Sequence, residues 1–489
     1  MSHNRVDRGD AVAEKTNQPS DRTAASESGA ESSVSDRIAL RDREAARVFA
    51  LATDLHRRGE YDQAVLAYSR ALMLDGTNPD IYNNLGVCLR AQGKLAAAST
   101  CYRRALVLKP NDAGVLSNLG NTQRDMFDLQ SAIISLSKAV RNAPQSPEPI
   151  YNLGLVLRDA GDNDKAITCF ESALGMRKDY ATCHVDYGIS LMLKGDLAKG
   201  FEEYDWRSKM TAARETEQPR WDGSDLKGKT ILLHQEGGMG DVVQFLRYIP
   251  AVKAKGANVI VECHGMLARL IATAPGVDKV IIAGSPLPKF DVYAPIMSLP
   301  LILGMPEDTL SGSIPYVSPP ELHSIQLPPA GGQQVRVGFC WSPGRARAGT
   351  PDRSCPITKM IELLAIPGIV AFSLQMGERT EDLKAEGCDA LMPDIGARLT
   401  DMADLAAVVE QLDLVVCVDS VVAHVAAALG KPTWLLVPFA PNWQWHTEGD
   451  TCAWYPSMRL FRQSQPGSWD SVFDALSEAL YARAQETLS

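Results

Sequence analysis

Asn84-Leu85-Gly86, Asn118-Leu119-Gly120, Asn152-Leu153-Gly154 and Asp186-Tyr187-Gly188 stand 34 residues apart, and the register they set runs through the N-terminal part of the chain. Ala64, Ala98, Ala132, Ala166 and Gly200 keep the same period as a small-residue column. Tyr68, Tyr102, Leu136, Phe170 and Tyr204 form a bulky column, and Ala71, Ala105, Ala139 and Ala173 a second small one. Small residues at fixed intervals let antiparallel helices approach closely, and a bulky residue one turn on fills the gap between successive hairpins. Several columns in one register mark stacked helical hairpins and not an accidental bundle. The units fall at 45–78, 79–112, 113–146 and 147–180, with a degenerate fifth from 181 whose Trp206 and Arg207 are placed to dock on the next domain.

The spacing is that of tetratricopeptide repeats. Asn84, Asn118 and Asn152 occupy the sixth position of their repeats, with Asp186 at the same place in the next. That position faces the concave side of such a superhelix. A file of amides there can hydrogen-bond the backbone of an extended peptide while ignoring its side chains. The alternative is that the amides bridge neighbouring helices. The column resembles the asparagine ladder of eukaryotic O-linked N-acetylglucosamine transferases, which implies a protein or peptide acceptor on the concave face.

The chain has 489 residues, 45% apolar and 22% charged, enough for two or three cores, and its formal charge of −10 offers no basic surface to nucleic acid or anionic lipid. Residues 1–44 are polar and lack an apolar signal core, so they read as a disordered lead-in. The most apolar run, 412–440, is broken by Asp413, Asp419, His424, Lys431 and Pro432, which argues against a membrane span. The ten cysteines show no CxxC pair, consistent with reduced thiols and a cytoplasmic location. The eight histidines show no ligand spacing, so no metal and no cofactor are expected. Oligomeric state is left open.

Beyond about Pro219 strand and helix signals alternate. Strands are expected at Thr230–Gln235, Asn258–Cys263, Lys279–Ala283 and Asp291–Ile296, and again at Val335–Trp341, Ile369–Gln375, Leu414–Asp419, Thr433–Val437 and Met458–Arg462. Two Rossmann-like lobes result, so the fold class is α + α/β: a tetratricopeptide α-solenoid over 45–214, a first lobe over 215–325 and a second over 326–489. Pro315–Pro329 reads as the linker between lobes, and a final helix near Trp469–Glu486 as one that packs back across them. Gly237-Gly238-Met239-Gly240-Asp241 comes after the first strand. Without a third spaced glycine or a Lys-Ser/Thr it is neither a dinucleotide fingerprint nor a Walker loop. In the second lobe Asp419-Ser420 ends a strand, and a small-residue helix through His424 to Gly430-Lys431-Pro432 begins at once, so its unpaired N–H groups suit a diphosphate.

Gly-Met-Gly-Asp in one lobe and Asp-Ser-x-x-x-His-x-Ala-x-Ala-Leu-Gly-Lys-Pro in the other resemble glycosyltransferase family 9, the ADP-heptose:lipopolysaccharide heptosyltransferases, over about 229–470. Val337–Ser342, Phe372–Gln375 and Pro438–Trp443 resemble the bacterial branch fused to tetratricopeptide repeats. The resemblance implies a GT-B fold and inverting, metal-independent transfer from a nucleotide sugar. It makes Asp241 the base, though a carboxylate at a helix start is a weak one. Asp419, Ser420, His424 and Arg353 become donor ligands, with Gln375 at the nucleotide and Gly238 and Gly240 at the donor backbone. Arg345 and Arg347 compete with Arg353 for the phosphates. Val421, Pro343 and Gly349 depart from the family pattern and leave the donor's identity open. Trp443 and Trp445 read as packing more than as a ligand surface. The implied acceptor is a protein, flagellin or another surface protein, since related fusions are associated with flagellin glycosylation. The alternatives are a lipopolysaccharide or exopolysaccharide transferase and a scaffold that only binds nucleotide sugar.

Overall fold

A computed structural model describes residues 24–210, 216–304, 314–321, 325–328, 334–344 and 352–488, with side chains from 36 to 487. Arg345, Arg347 and Gly349 lie outside the described residues. The chain falls into two compact units that meet in sequence at Asp128 and Leu129.

The first unit is built of α1 (Ala24–Arg57), α2 (Tyr61–Leu74), α3 (Pro79–Ala91), α4 (Leu95–Leu108) and α5 (Ala113–Asp125). Helix α1 begins at Ala24, so the lead-in expected to be disordered to residue 44 is helical over 24–44. Its Ala, Glu and Arg content favours helix, and Arg47 pairs with Glu44 one turn away at 2.8 Å. Tyr102 explains the glycine column: a Cβ on Gly86 would lie 2.7 Å from its ring. The bulky residue therefore fills its own hairpin, and not the gap between hairpins.

The second unit opens with α6 (Leu129–Asn142), α7 (Pro147–Asp159), α8 (Asn163–Met176), α9 (Ala181–Lys194) and α10 (Leu197–Tyr204). Gly154 admits Phe170 as Gly86 admits Tyr102. The chain then enters two all-parallel sheets. The first has the order β3-β2-β1-β4, with β1 (Thr230–His234), β2 (Asn258–Cys263), β3 (Lys279–Ile282) and β4 (Val292–Pro295). The second is β6-β5-β7-β8-β9, with β5 (Val335–Cys340), β6 (Ile369–Ser373), β7 (Leu414–Val418), β8 (Thr433–Val437) and β9 (Met458–Arg462). The strands match the expected runs to within two residues at either end. First-lobe helices are α11 (Met239–Phe245), α12 (Ile249–Ala254), α13 (Gly265–Ile271) and α14 (Leu299–Ile302); the second lobe adds α15 (Ile357–Glu362), α16 (Glu381–Ala385), α17 (Met402–Glu410), α18 (Val421–Ala428) and α19 (Asp470–Leu488).

Both faces of the second sheet are covered, which is why its strands read as continuous apolar runs. Leu414, Val416 and Val418 of β7 face a core with Val472, Phe473, Leu476 and Leu480 of α19, while Val415 and Cys417 face the core that holds α17 and α18. Helix α19 thus packs on its own lobe, which corrects the expectation that it crosses to the first. The described parts of the proline-rich connection are not a loose linker, because Tyr316, Val317, Ile325 and Leu327 are buried in the shared core. Among the described residues no helix is long and apolar enough to cross a membrane.

One core runs from the last repeat through both lobes. Phe201 of α10 meets Phe245 of the first lobe edge-on at 6.0 Å and Trp443 of the second at 5.5 Å. Arg207 docks as expected, on Glu236 and, at 2.6 Å, on Ser298 Oγ. Trp206 stacks on His184 of the fifth repeat at 3.7 Å. Phe201 is 1% exposed, and a buried Phe→Ala change costs about 3–5 kcal/mol. Phe201→Ala should therefore lower the unfolding midpoint and raise amide exchange around Trp443–Trp445 as well as in α10. Unchanged protection at 443–445 would show that the repeats do not brace the lobes.

Candidate active site at the lobe seam

Helix α11 of the first lobe and α18 of the second pack directly on one another. The close approach is made at Gly240, where a Cβ would lie 2.5 Å from Cδ2 of the His424 ring. Gly240 therefore makes room for His424. Gly238 spends its N–H on Asp241 Oδ2 at 2.8 Å. The two glycines, expected to admit the donor, shape the seam and hold the carboxylate.

Asp241 stands in the first turn of α11, half-buried. Its other oxygen, Oδ1, accepts from Gln444 Nε2 at 3.0 Å, a bond from one lobe to the other. The expectation of a weakly basic carboxylate is overturned. Burial pushes its pKa up to about 6, and the nearby Asp419 adds to the rise, against the Gly238 and Gln444 hydrogen bonds and the charge of Arg353. Loss of solvation outweighs the helix end.

Across the seam Asp419 is 3% exposed at the carboxyl end of β7. It accepts from Arg353 Nη1 at 2.7 Å and from Asn442 Nδ2. Arg353 is thus held against Asp419 by an ion pair, with about a third of its side chain open to solvent. Ser420 precedes α18 and makes no capping bond with its side chain. Its hydroxyl lies 3.9 Å from Cys340 Sγ. The first-turn N–H groups at Val421 and Val422 have no partner within the helix.

Two expected ligands have other work. His424 is 3% exposed, bonds Tyr455 Oη through Nδ1 at 3.0 Å and packs near Trp445. Burial lowers its pKa to about 4, so it is a neutral ring wedged between the lobes. Gln375 is 1% exposed. Its Oε1 accepts from the N–H groups of Trp341 and Ser342 at 3.2 and 2.9 Å, and its Nε2 donates to the carbonyls of Ser342 and Met376. It anchors the turn after β5 and has no capacity left for a nucleotide.

In the repeats, Asn118 donates to Asn83 at 2.9 Å, and Asn83 to Asn84 at 3.3 Å. All three are half-buried, so they bridge adjacent helices and still face solvent. In the other unit Asn152 is half-buried too. Asp186, at the same position of the next repeat, accepts from Arg158 at 2.8 Å and from Tyr151 at 2.7 Å.

Asn442 lies in the Pro438–Trp443 segment that carries the resemblance, which gives it no role there, and Gln444 carries no motif that marks it in the sequence. They come after β8 at the carboxyl edge of a parallel sheet, where ligands and catalytic groups gather, and that position was the available signal. Trp443 and Trp445 are buried packing residues, as expected. A cavity of about 680 Å³ opens between the fourth and fifth repeats and the loop at His446, Thr447 and Glu448; its lining includes none of the candidate residues. Among the described residues no group of three or more His, Cys, Asp or Glu is placed to hold a metal.

Residues 375–437 match glycosyltransferase family 9 (heptosyltransferase), the part of the second lobe from Gln375 through β8. Residues 54–89, 79–112 and 151–205 match tetratricopeptide repeat families. Protein FlbA of Caulobacter vibrioides is 25% identical over 343 residues, 63% of this chain and 56% of that protein, so the chain spans about half the length of this relative. Among solved structures, pilF of Pseudomonas aeruginosa is 18% identical, covering 44% of this chain and 88% of its own, with a TM-score of 0.35. MamA of Desulfovibrio magneticus is 19% identical, covering 35% and 97%, with a TM-score of 0.32. The chain thus joins tetratricopeptide repeats to a glycosyltransferase family 9 segment.

The Gly240–His424 contact can be tested by itself. Gly240→Ala forces a methyl into the ring and should destabilise by about 1–3 kcal/mol. In the His424→Ala background the same change should cost clearly less in denaturant unfolding. Equal costs in the two backgrounds would mean that the seam is not closed there.

Proposed function

We propose that this chain is an inverting, metal-independent glycosyltransferase of GT-B architecture that moves a sugar from a nucleotide-diphosphate donor to a polypeptide hydroxyl. The observation that carries the reading is Asp241: a half-buried carboxylate with a pKa near 6, across the seam from a helix start, Arg353 and Asp419. The acceptor oxygen attacks the anomeric carbon as its proton passes to Asp241. The bond from that carbon to the diphosphate oxygen breaks, its electron pair leaves with the nucleotide, and the configuration inverts. Arg353 swings from Asp419 to the phosphates and takes the leaving charge that a metal takes elsewhere, together with the N–H groups at the start of α18. Asp419, released, accepts a sugar hydroxyl. No cofactor is required.

The repeats favour a polypeptide acceptor over a lipid-linked sugar. Asn84, Asn118 and Asn152 are open enough to accept and donate to an extended backbone, and the last repeat is packed into the lobes that hold the chemistry. Flagellin or another surface protein made in the cytoplasm is the acceptor suggested by the resemblance. A lipopolysaccharide or exopolysaccharide transferase remains the second reading, favoured by the heptosyltransferase match.

Asp241→Asn should cut transfer by about 10²–10⁴-fold, the usual loss of a general base, while nucleoside diphosphate binding by calorimetry is retained; full turnover would refute the assignment. In the wild type, kcat/KM should fall tenfold per pH unit below about 6, because a raised pKa leaves the base protonated there; a rate flat to pH 4.5 would contradict it. Changing Asn84, Asn118 and Asn152 together to Ala should weaken polypeptide capture in a pull-down and leave donor hydrolysis unaltered. Unimpaired capture would remove the ladder from the mechanism.

A further inference from the structure

Tyr204 holds the bulky position of the fifth repeat but is not sealed in its hairpin. Tyr68, Tyr102 and Phe170 are 0% exposed, whereas Tyr204 is half-buried at the end of α10. The difference lies in what faces the glycine. At Gly86 and Gly154 it is an aromatic ring; at Gly188 it is the backbone of Gly200 and of Tyr204 itself, 2.6 Å from where a Cβ would stand. The backbone occupies the place of the ring, and the ring is freed from the hairpin interior.

The freed ring is held at the first lobe. The guanidinium of Arg207 lies 4.6 Å from its centre and donates to the Tyr204 carbonyl, to Glu236 and to Ser298 Oγ. Glu236 begins the glycine turn whose Gly238 N–H holds Asp241. Tyr204 Oη makes no hydrogen bond with protein among the described residues. Its pKa is pushed up to about 12, by burial first and then by the carboxylates of Asp241, Glu236 and Asp186, against Arg207. The phenol is a permanent O–H within the field of the base and of Asp186 in the sixth-position column.

The geometry points to Tyr204 as an acceptor-binding residue: its hydroxyl bonds the extended polypeptide as it leaves the concave face and sets a seryl or threonyl hydroxyl against Asp241. This rests on the polypeptide-acceptor reading above. Tyr204 does not take the proton, since it is already protonated; it fixes which hydroxyl Asp241 can reach.

The test uses cells lacking this chain, complemented with the wild type, Tyr204→Phe or Asp241→Asn, and mass spectrometry of glycan occupancy on polypeptides. Tyr204→Phe keeps the ring and its Arg207 contact and removes one hydrogen bond, so occupancy should drop by about two- to tenfold. The purified variant should show the same thermal shift as the wild type with ADP, GDP and UDP. Wild-type occupancy in Tyr204→Phe overturns the inference and leaves the polypeptide acceptor standing. Loss of the nucleotide shift along with occupancy overturns it too, by showing a general structural effect. A wild type that modifies no polypeptide overturns both.

Discussion

The contact of Gly240 with His424 is the constraint on which the site depends. Two parallel-sheet lobes present the starts of their helices α11 and α18 to each other, and that is possible only because one helix carries no side chain at the contact and the other a buried, neutral ring. A charged imidazole there would be costly to bury, and the same desolvation that neutralises His424 also raises Asp241, the residue next to Gly240. The seam creates the basicity that its carboxylate needs. Gln444 then limits the rise with a single hydrogen bond from the opposite lobe.

The repeats are part of this construction and not a tethered accessory. Phe201 fills a position between Phe245 and Trp443, so the last hairpin, the first lobe and the second share one aromatic corner. Each such edge-on pair contributes about 0.5–1.5 kcal/mol beyond area burial. Arg207 adds polar specificity at the same junction through Glu236 and Ser298. The last repeat of this unit therefore meets the lobes at a fixed place.

Periodicity made the architecture legible. The 34-residue columns located every hairpin, and apolar-rich runs located the nine described strands, most plainly β7 and β8, which are buried on both faces and admit little else. Pairing across long separations was not legible. Gln375 has the look of a ligand at a strand end, yet a turn 33 residues away consumes its amide. Asp186 continues the amide column but is answered by Arg158, 28 residues earlier. The basicity of Asp241 comes from burial that no local pattern reveals, and is tempered by a hydrogen bond from Gln444, 203 residues distant. Residues 24–44 read as disordered from composition and form helix, where Ala, Glu and Arg, which favour helix, are interspersed with the serines.

A crystal structure with a bound nucleoside diphosphate bears most directly on the claim that this seam is the donor site. The phosphates should lie on the N–H groups of Val421 and Val422 beside Ser420, with the Arg353 guanidinium turned from Asp419 onto them. Phosphates bound elsewhere, in the cavity between Ala160 and Glu448 for instance, with the Arg353–Asp419 pair intact, would contradict it.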